Sequence, residues 1–151
     1  MRRTLMLLAA SALLASGSVA DGAPPAGPCS LLTAAQVSAA LGVAAGEGEA
    51  LASSLCQWTA PGKNGRAASV DVTISNAQRF AMAKVPVNSP SITKTPVSGI
   101  GDEAVFGTTA GVASINVKKG DVYFAVTLRG VPMDKAQAVA TTLAKDVLAK
   151  L

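Results

Sequence analysis

Residues 29–58 read CSLLTAAQVSAALGVAAGEGEALASSLCQW, and this stretch holds both cysteines and the single tryptophan of the 151-residue chain. A helix is marked inside it. Thr33 is a good N-cap, Gln36 three residues later completes a capping box, and Leu32 before the cap can pack on Val37 as a hydrophobic staple. Gly42 is placed to end that helix in the left-handed conformation. Val37, Ala40 and Leu41 share one face, and a helix this short survives by packing. Leu55 to Thr59 then reads as a strand, after a soft loop in which Gly46 and Gly48 predict mobility. If Cys29 and Cys56 pair, the start of the first helix is stapled to the first strand, with Trp58 two residues from the staple.

The compartment decides the pairing. Arg2 and Arg3, the apolar run Leu5 to Ala15 and the small residues Ser18-Val19-Ala20 form the pattern of a secretory signal, cleaved near Ala20 (residues 1–20). The run is too short for a stable membrane span, and the remaining chain holds no longer one. Gly17 and Ser18 stand where a lipoprotein would carry its lipidated cysteine. The expected location is therefore periplasmic or secreted. Two cysteines in an oxidising compartment read as a disulfide. Closing a loop of this size stabilises a fold by roughly 3–4 kcal/mol on the chain-entropy model. A metal site is not expected, because the chain has no histidine and two thiolates alone do not make a structural zinc site.

Removing 20 of 151 residues leaves 131, enough for one domain with a modest core. Losing Arg2 and Arg3 lowers the formal charge from +4 to +2, since all nine acidic residues lie beyond Ala20. That balance, without a Lys/Arg stripe, gives no footing for nucleic-acid binding.

Residues 21–28 (DGAPPAGP) read as a tether, and 29–151 as a single domain. Asn64-Gly65 is a strong hairpin signal between Leu55–Thr59 and the alternating strand Ser69–Ser75. In that second strand Val70, Val72 and Ile74 face one way, and Asp71, Thr73 and Ser75 the other. Asn76 can cap a short helix over Ala77–Lys84 with Phe80 packing its stem. The proline-bearing segment Val85–Ser98 reads as an irregular crossing. Three strands follow, Glu103–Phe106, Val112–Lys118 and Val122–Arg129, with Gly107–Gly111 as a loose hairpin turn. In the last strand Tyr123, Ala125, Thr127 and Arg129 oppose Val122, Phe124, Val126 and Leu128. Asp134, with Gln137 in capping-box position, is expected to cap a final helix. Its apolar face carries Ala136, Val139, Ala140, Leu143, Ala144, Val147, Leu148 and Leu151. The expected fold is α+β, in the order α-β-β-α-β-β-β-α: a mainly antiparallel sheet of about five strands, helices packed on it, and one disulfide.

Several of these segments together resemble a known family. They are Cys29-Ser-Leu-Leu-Thr33, the helix to Leu41-Gly42, Cys56-x-Trp58, Gly101-Asp102-Glu103-Ala104, Val117-Lys118-Lys119-Gly120-Asp121 and the closing Leu143-Ala144-Lys-Asp-Val147-Leu148. Their order is similar to the small exported domains catalogued as domain of unknown function 3558, many of them envelope lipoproteins. The resemblance spans nearly all of the chain after the signal. It implies helices packed on an antiparallel sheet and brings no established chemistry.

Catalytic patterns are thin. A hydrolase triad needs a base, and there is no histidine. Ser91-Ile92-Thr93-Lys94 has Ser-x-x-Lys spacing but lies in the proline-bearing segment. Gly99-Ile100-Gly101-Asp102-Glu103-Ala104 fits a loose dinucleotide pattern, yet a strand follows it and its acids would repel a pyrophosphate. Asp102 and Glu103 read as a turn cap and a solvated charge. The expectation is a non-enzymatic binding or interaction module of the envelope, without cofactor, recognising a protein, peptide or wall fragment. The alternative is a carrier holding a small apolar ligand between sheet and final helix. Trp58, Tyr123 and Arg129 are the candidate contacts, against the plainer reading of Trp58 as packing beside the disulfide.

Overall fold

The computed structural model describes residues 27–62, 65–87 and 89–151. The signal segment, most of the tether, and Asn64 of the Asn-Gly pair lie outside these residues. The elements run α1 (Ala34–Leu41), β1 (Glu49–Ala52), β2 (Leu55–Pro61), β3 (Ala67–Asn76), α2 (Phe80–Lys84), β4 (Ile92–Pro96), β5 (Glu103–Thr109), β6 (Val112–Lys119), β7 (Val122–Arg129) and α3 (Met133–Leu148). Single 3-10 turns at Pro28–Ser30 and Ala77–Arg79 precede α1 and α2. Pro28, in the first of these turns, is buried.

All seven strands form one antiparallel sheet in the order β1-β2-β3-β7-β6-β5-β4. The fold is α+β as expected, with two more strands than the sequence reading supplied. Both additions are edge strands. β1 was missed because Glu49–Ala52 is exposed throughout and shows no alternation. β4 was missed because Pro96 ends it. An edge strand tolerates that proline, since one side of its ladder has no partner.

One face of the sheet is sealed. Cys56 and Trp58 of β2, Val70 and Val72 of β3, Phe124, Val126 and Leu128 of β7, and Ala113, Ile115 and Val117 of β6 all point to it and are essentially unexposed. α3 crosses β6 and β7 on this side and touches α1. It buries Ala136, Ala140, Leu143, Ala144 and Val147 completely, and the three alanines let the helix lie close to the strands. Its start differs from expectation. Pro132 occupies the N-cap position and the helix begins at Met133, with no side-chain cap. Asp134 lies inside the first turn, where its charge complements the helix dipole.

α1 follows its sequence signals closely. Gln36 N–H donates to Thr33 Oγ1 at 3.2 Å, Thr33 N–H donates to Gln36 Oε1 at 3.0 Å, and Gly42 adopts φ 73°. The Cys29–Cys56 disulfide forms, with Cα atoms 5.0 Å apart, tying the turn before α1 to β2.

The loop after α1 is ordered, contrary to the mobility expected of it. Gly46 N–H donates to Thr59 O at 2.8 Å, and Ala45 N–H to Ser38 Oγ at 2.8 Å. Gly48 lies flat on Trp58. A Cβ there would stand 2.7 Å from the indole and 2.9 Å from Cys56 Sγ, so only glycine brings the backbone this close.

The two C-terminal hairpins are tight. Thr109 pairs with Val112, and the turn is Ala110-Gly111 with φ 46° and 79°, shorter than the expected 107–111 loop. Gly107 belongs to β5.

Candidate functional site

The opposite face of the sheet is the more open one and carries Thr73 and Ser75 of β3, Asn116 of β6 and Tyr123, Thr127 and Arg129 of β7, although Ser69, Asp71, Val105 and Ala125 on it are buried. Among the described residues its helical cover is α2, with the 3-10 turn that leads into it. After β3 the chain turns back across this face, and Ala77 N–H donates to Asp121 O at 2.9 Å to hold the turn. Asn76 occupies the cap position, but its side chain makes no capping bond, unlike the expectation. Phe80 is buried and lies 6.3 Å from Tyr123 between ring centroids. Lys84 sits 5.5 Å from the centre of the Phe80 ring and reaches Glu103 at 2.6 Å. Phe80 therefore pins a five-residue helix that has little length to stabilise itself.

Beside α2 is a cleft of about 580 Å³. Thr73 and Ser75 of β3, Asn116 of β6 and Tyr123 of β7 line its sheet side, while Arg79 and Met82 line its helix side. Tyr123 donates its hydroxyl proton to Asn116 Oδ1 at 2.7 Å. Burial pushes the Tyr123 phenol above its ordinary pKa, an effect Arg79 partly opposes, so the phenol stays protonated and remains the donor. Met82 is 74% exposed.

A second polar group lies farther along the same face. Asp71 of β3 is buried although it is charged, and both its oxygens are satisfied. Gln57 Nε2 donates to Oδ1 at 2.7 Å, and Arg129 Nη1 pairs with Oδ2. Register explains the grouping: Gln57 stands opposite Asp71, and Arg129 opposite the adjacent Ser69.

The three sequence candidates therefore part company. Trp58 is 1% exposed, under Gly48 and beside the disulfide, on the sealed face. Tyr123 and Arg129 share the open face, as their spacing required, but six residues of strand hold them roughly 20 Å apart. Tyr123 belongs to the cleft, and Arg129 to the Asp71 network. Arg79, Met82, Asn116, Gln57 and Asp71 were not singled out. The available signal was Asp71, an unusual residue in a strand that otherwise reads Val-x-Val-x-Ile on its apolar side.

The residues of the catalytic patterns make the following contacts. Lys94 donates to Val85 O at 2.7 Å, away from Ser91, whose hydroxyl lies 3.2 Å from Ser89 Oγ. Gly99 and Gly101 have positive φ in a turn that leads into β5. Asp102 accepts from Gly120 N–H at 2.7 Å and from Lys119 at 3.3 Å, bracing the β6–β7 turn. The Gly120 and Lys119 hydrogen bonds hold its carboxyl below the usual carboxylate range, and Lys84 does the same for Glu103.

An apolar groove of about 390 Å³ opens at the end of the sealed layer, among Leu41, Val43, Val131, Pro132 and Val139. Among the described residues, no helix is long and apolar enough to cross a membrane, and no three His, Cys, Asp or Glu side chains gather as metal ligands. No protein-family model matches the chain, and no curated protein or solved structure matches it significantly.

Proposed function

We propose that this chain is an exported, non-enzymatic binding module of the cell envelope, allied to the domain-of-unknown-function 3558 family, and that it recognises its partner on the open face beside α2. The observation that carries this reading is the cleft, where hydroxyl, amide, phenol and guanidinium groups converge under a single pinned helix. Ligand sites typically combine a concave floor with a few convergent polar groups. The disulfide is compatible with export.

The face is a better candidate than the edges. β4 carries Lys94 and Pro96, and β1 is four residues long with a register shift, which are the usual means of discouraging strand addition. The alternative, a carrier of a small apolar ligand, rests on the groove near Val131 and Val139. The layer between sheet and α3 is itself filled by side chains with no exposure, so such a ligand would have to sit at the layer's end.

The test is a titration of isotope-labelled, oxidised protein with soluble wall fragments and, separately, with an envelope protein extract. Chemical-shift changes should fall on amides of β3, β6, β7 and α2. Changes confined to Leu41, Val131 and Val139 would instead favour the carrier, and no change with either mixture would sink the module reading.

A further inference from the structure

We propose that the cleft beside α2 takes the carboxylate end of a short peptide whose last side chains are small or aliphatic. This rests on the binding-module reading of that face and adds the class of ligand.

A census of hydrogen-bonding groups carries the inference. Asn116 lines the cleft, and its Oδ1 is already taken by the Tyr123 hydroxyl, so no free acceptor is left on that carbonyl side. Its Nδ2 is turned toward Ser114 Oγ, at 3.4 Å, which lies outside the cleft lining. Thr73 and Ser75 add hydroxyls on the sheet side. Arg79 is exposed, and the four ion pairs among the described residues use Lys84, Lys118, Lys119 and Arg129 instead. No Asp or Glu lines the cleft. The site thus has one full positive charge, several donors and no anionic acceptor.

That balance discriminates among ligands. An amine would meet Arg79 with no carboxylate to pair it. A wholly apolar molecule would cover the donors without partnering them, at the usual desolvation penalty. A carboxylate matches the planar guanidinium fork and accepts from the Thr73 and Ser75 hydroxyls as well. The cleft also exceeds the needs of a lone anion, since about 580 Å³ lies within the span of small-molecule sites. Met82, unbranched and exposed at the rim, can repack over an aliphatic side chain.

The experiment is a chemical-shift titration of the oxidised protein with four probes: N-acetyl-leucyl-alanine, its C-terminal amide, acetate and inorganic phosphate. The peptide acid should move the amides of Thr73, Ser75, Asn116 and Tyr123, and should bind about tenfold tighter than the peptide amide. Arg79→Gln should bring the acid down to the affinity of the amide, and Arg79→Lys should restore part of the difference. Arg79 is exposed, and an unchanged spectrum of the free variant would show that folding is intact. Equal binding of acid and amide, or indifference to Arg79→Gln, overturns the carboxylate assignment while the face keeps its role. Acetate or phosphate binding as tightly as the peptide acid overturns the peptide source. Silence of both peptides overturns the ligand class, and the module reading then stands or falls on the wall-fragment and extract titration.

Discussion

The two faces of the sheet are built from alternate residues of the same strands, yet they are completed in opposite ways. On one, Val70, Val72, Phe124, Val126 and Leu128 meet α1 and α3 and lose all contact with water. On the other, their neighbours Asp71, Thr73, Tyr123 and Arg129 meet one short helix and one another. The sealed face gains its stability from area and close packing, which are non-directional. The open face is held by directional pairs, and its one large buried anchor, Phe80, lies outside the main apolar cluster. A molecule whose two faces are completed so differently should respond very differently to substitution on each side.

Trp58→Ala tests the sealed face most severely. Removing the indole should cost about 3–5 kcal/mol, a large part of the ~5–15 kcal/mol a domain commonly has. The variant should melt far below the parent. A melting temperature within a degree or two of the parent would mean that the face is not packed as described. Phe80→Ala is the matched change on the open face. Its cost should lie near the low end for such truncations, roughly 3 kcal/mol, because a five-residue helix can settle or detach. Hydrogen exchange should show protection lost over α2 while β2, β3 and β7 keep theirs. Uniform loss would erase the contrast between the faces.

Gly48→Ala probes the lid over Trp58. The added methyl meets a rigid ring and the disulfide sulfur, and overpacking of this kind costs about 1–3 kcal/mol. An unchanged denaturation midpoint would show that the loop yields freely. Asp71→Asn removes the charge that Arg129 pairs with, while leaving Gln57 a partner. Because half of the Arg129 side chain is exposed and can turn to water, the loss should be about 1–2 kcal/mol. Urea unfolding of Asp71→Asn, Arg129→Gln and the double variant would measure the coupling, and strict additivity would contradict the pair.

The smallest effect concerns pH. Asp102 and Glu103 have carboxyls held below their ordinary values in the folded protein. A depressed folded pKa contributes stability above the unfolded value, and that contribution is lost as pH falls through the folded value. Stability should therefore be flat near neutrality and decline below the usual carboxylate range. Asp102→Asn should shallow that acid limb slightly. Both groups are exposed, so added salt should shrink the difference.

The strands with clean alternation were legible because burial on one face imposes a period of two, which β6 shows in its burial and β3 and β7 show in their alternation of apolar and polar side chains. α1 was legible to the residue, since caps and staple are local hydrogen bonds and contacts between near neighbours. The edges were not. β1 and β4 draw their order from a neighbouring strand, so nothing within Glu49–Ala52 or Ile92–Pro96 had to announce it. Gly48 reads locally as flexibility and is in place a close approach, because the tryptophan it touches is ten residues away in the chain.

By itself the sequence determined the α+β class, the antiparallel character of the sheet, the division of β3 and β7 into an apolar and a polar face, and the presence of two cysteines able to close one bridge. These follow from side-chain periodicity and covalent chemistry, which act along the chain. Tertiary structure alone decided that β7 lies between β3 and β6, that Tyr123 and Arg129 serve different ends of one face, and that Arg79 and Asn116 line a common cleft. Those residues are distant in sequence and are brought together by strand register and by the return of α2 across the sheet. Register is a property of pairs of strands, so no single strand could have disclosed it.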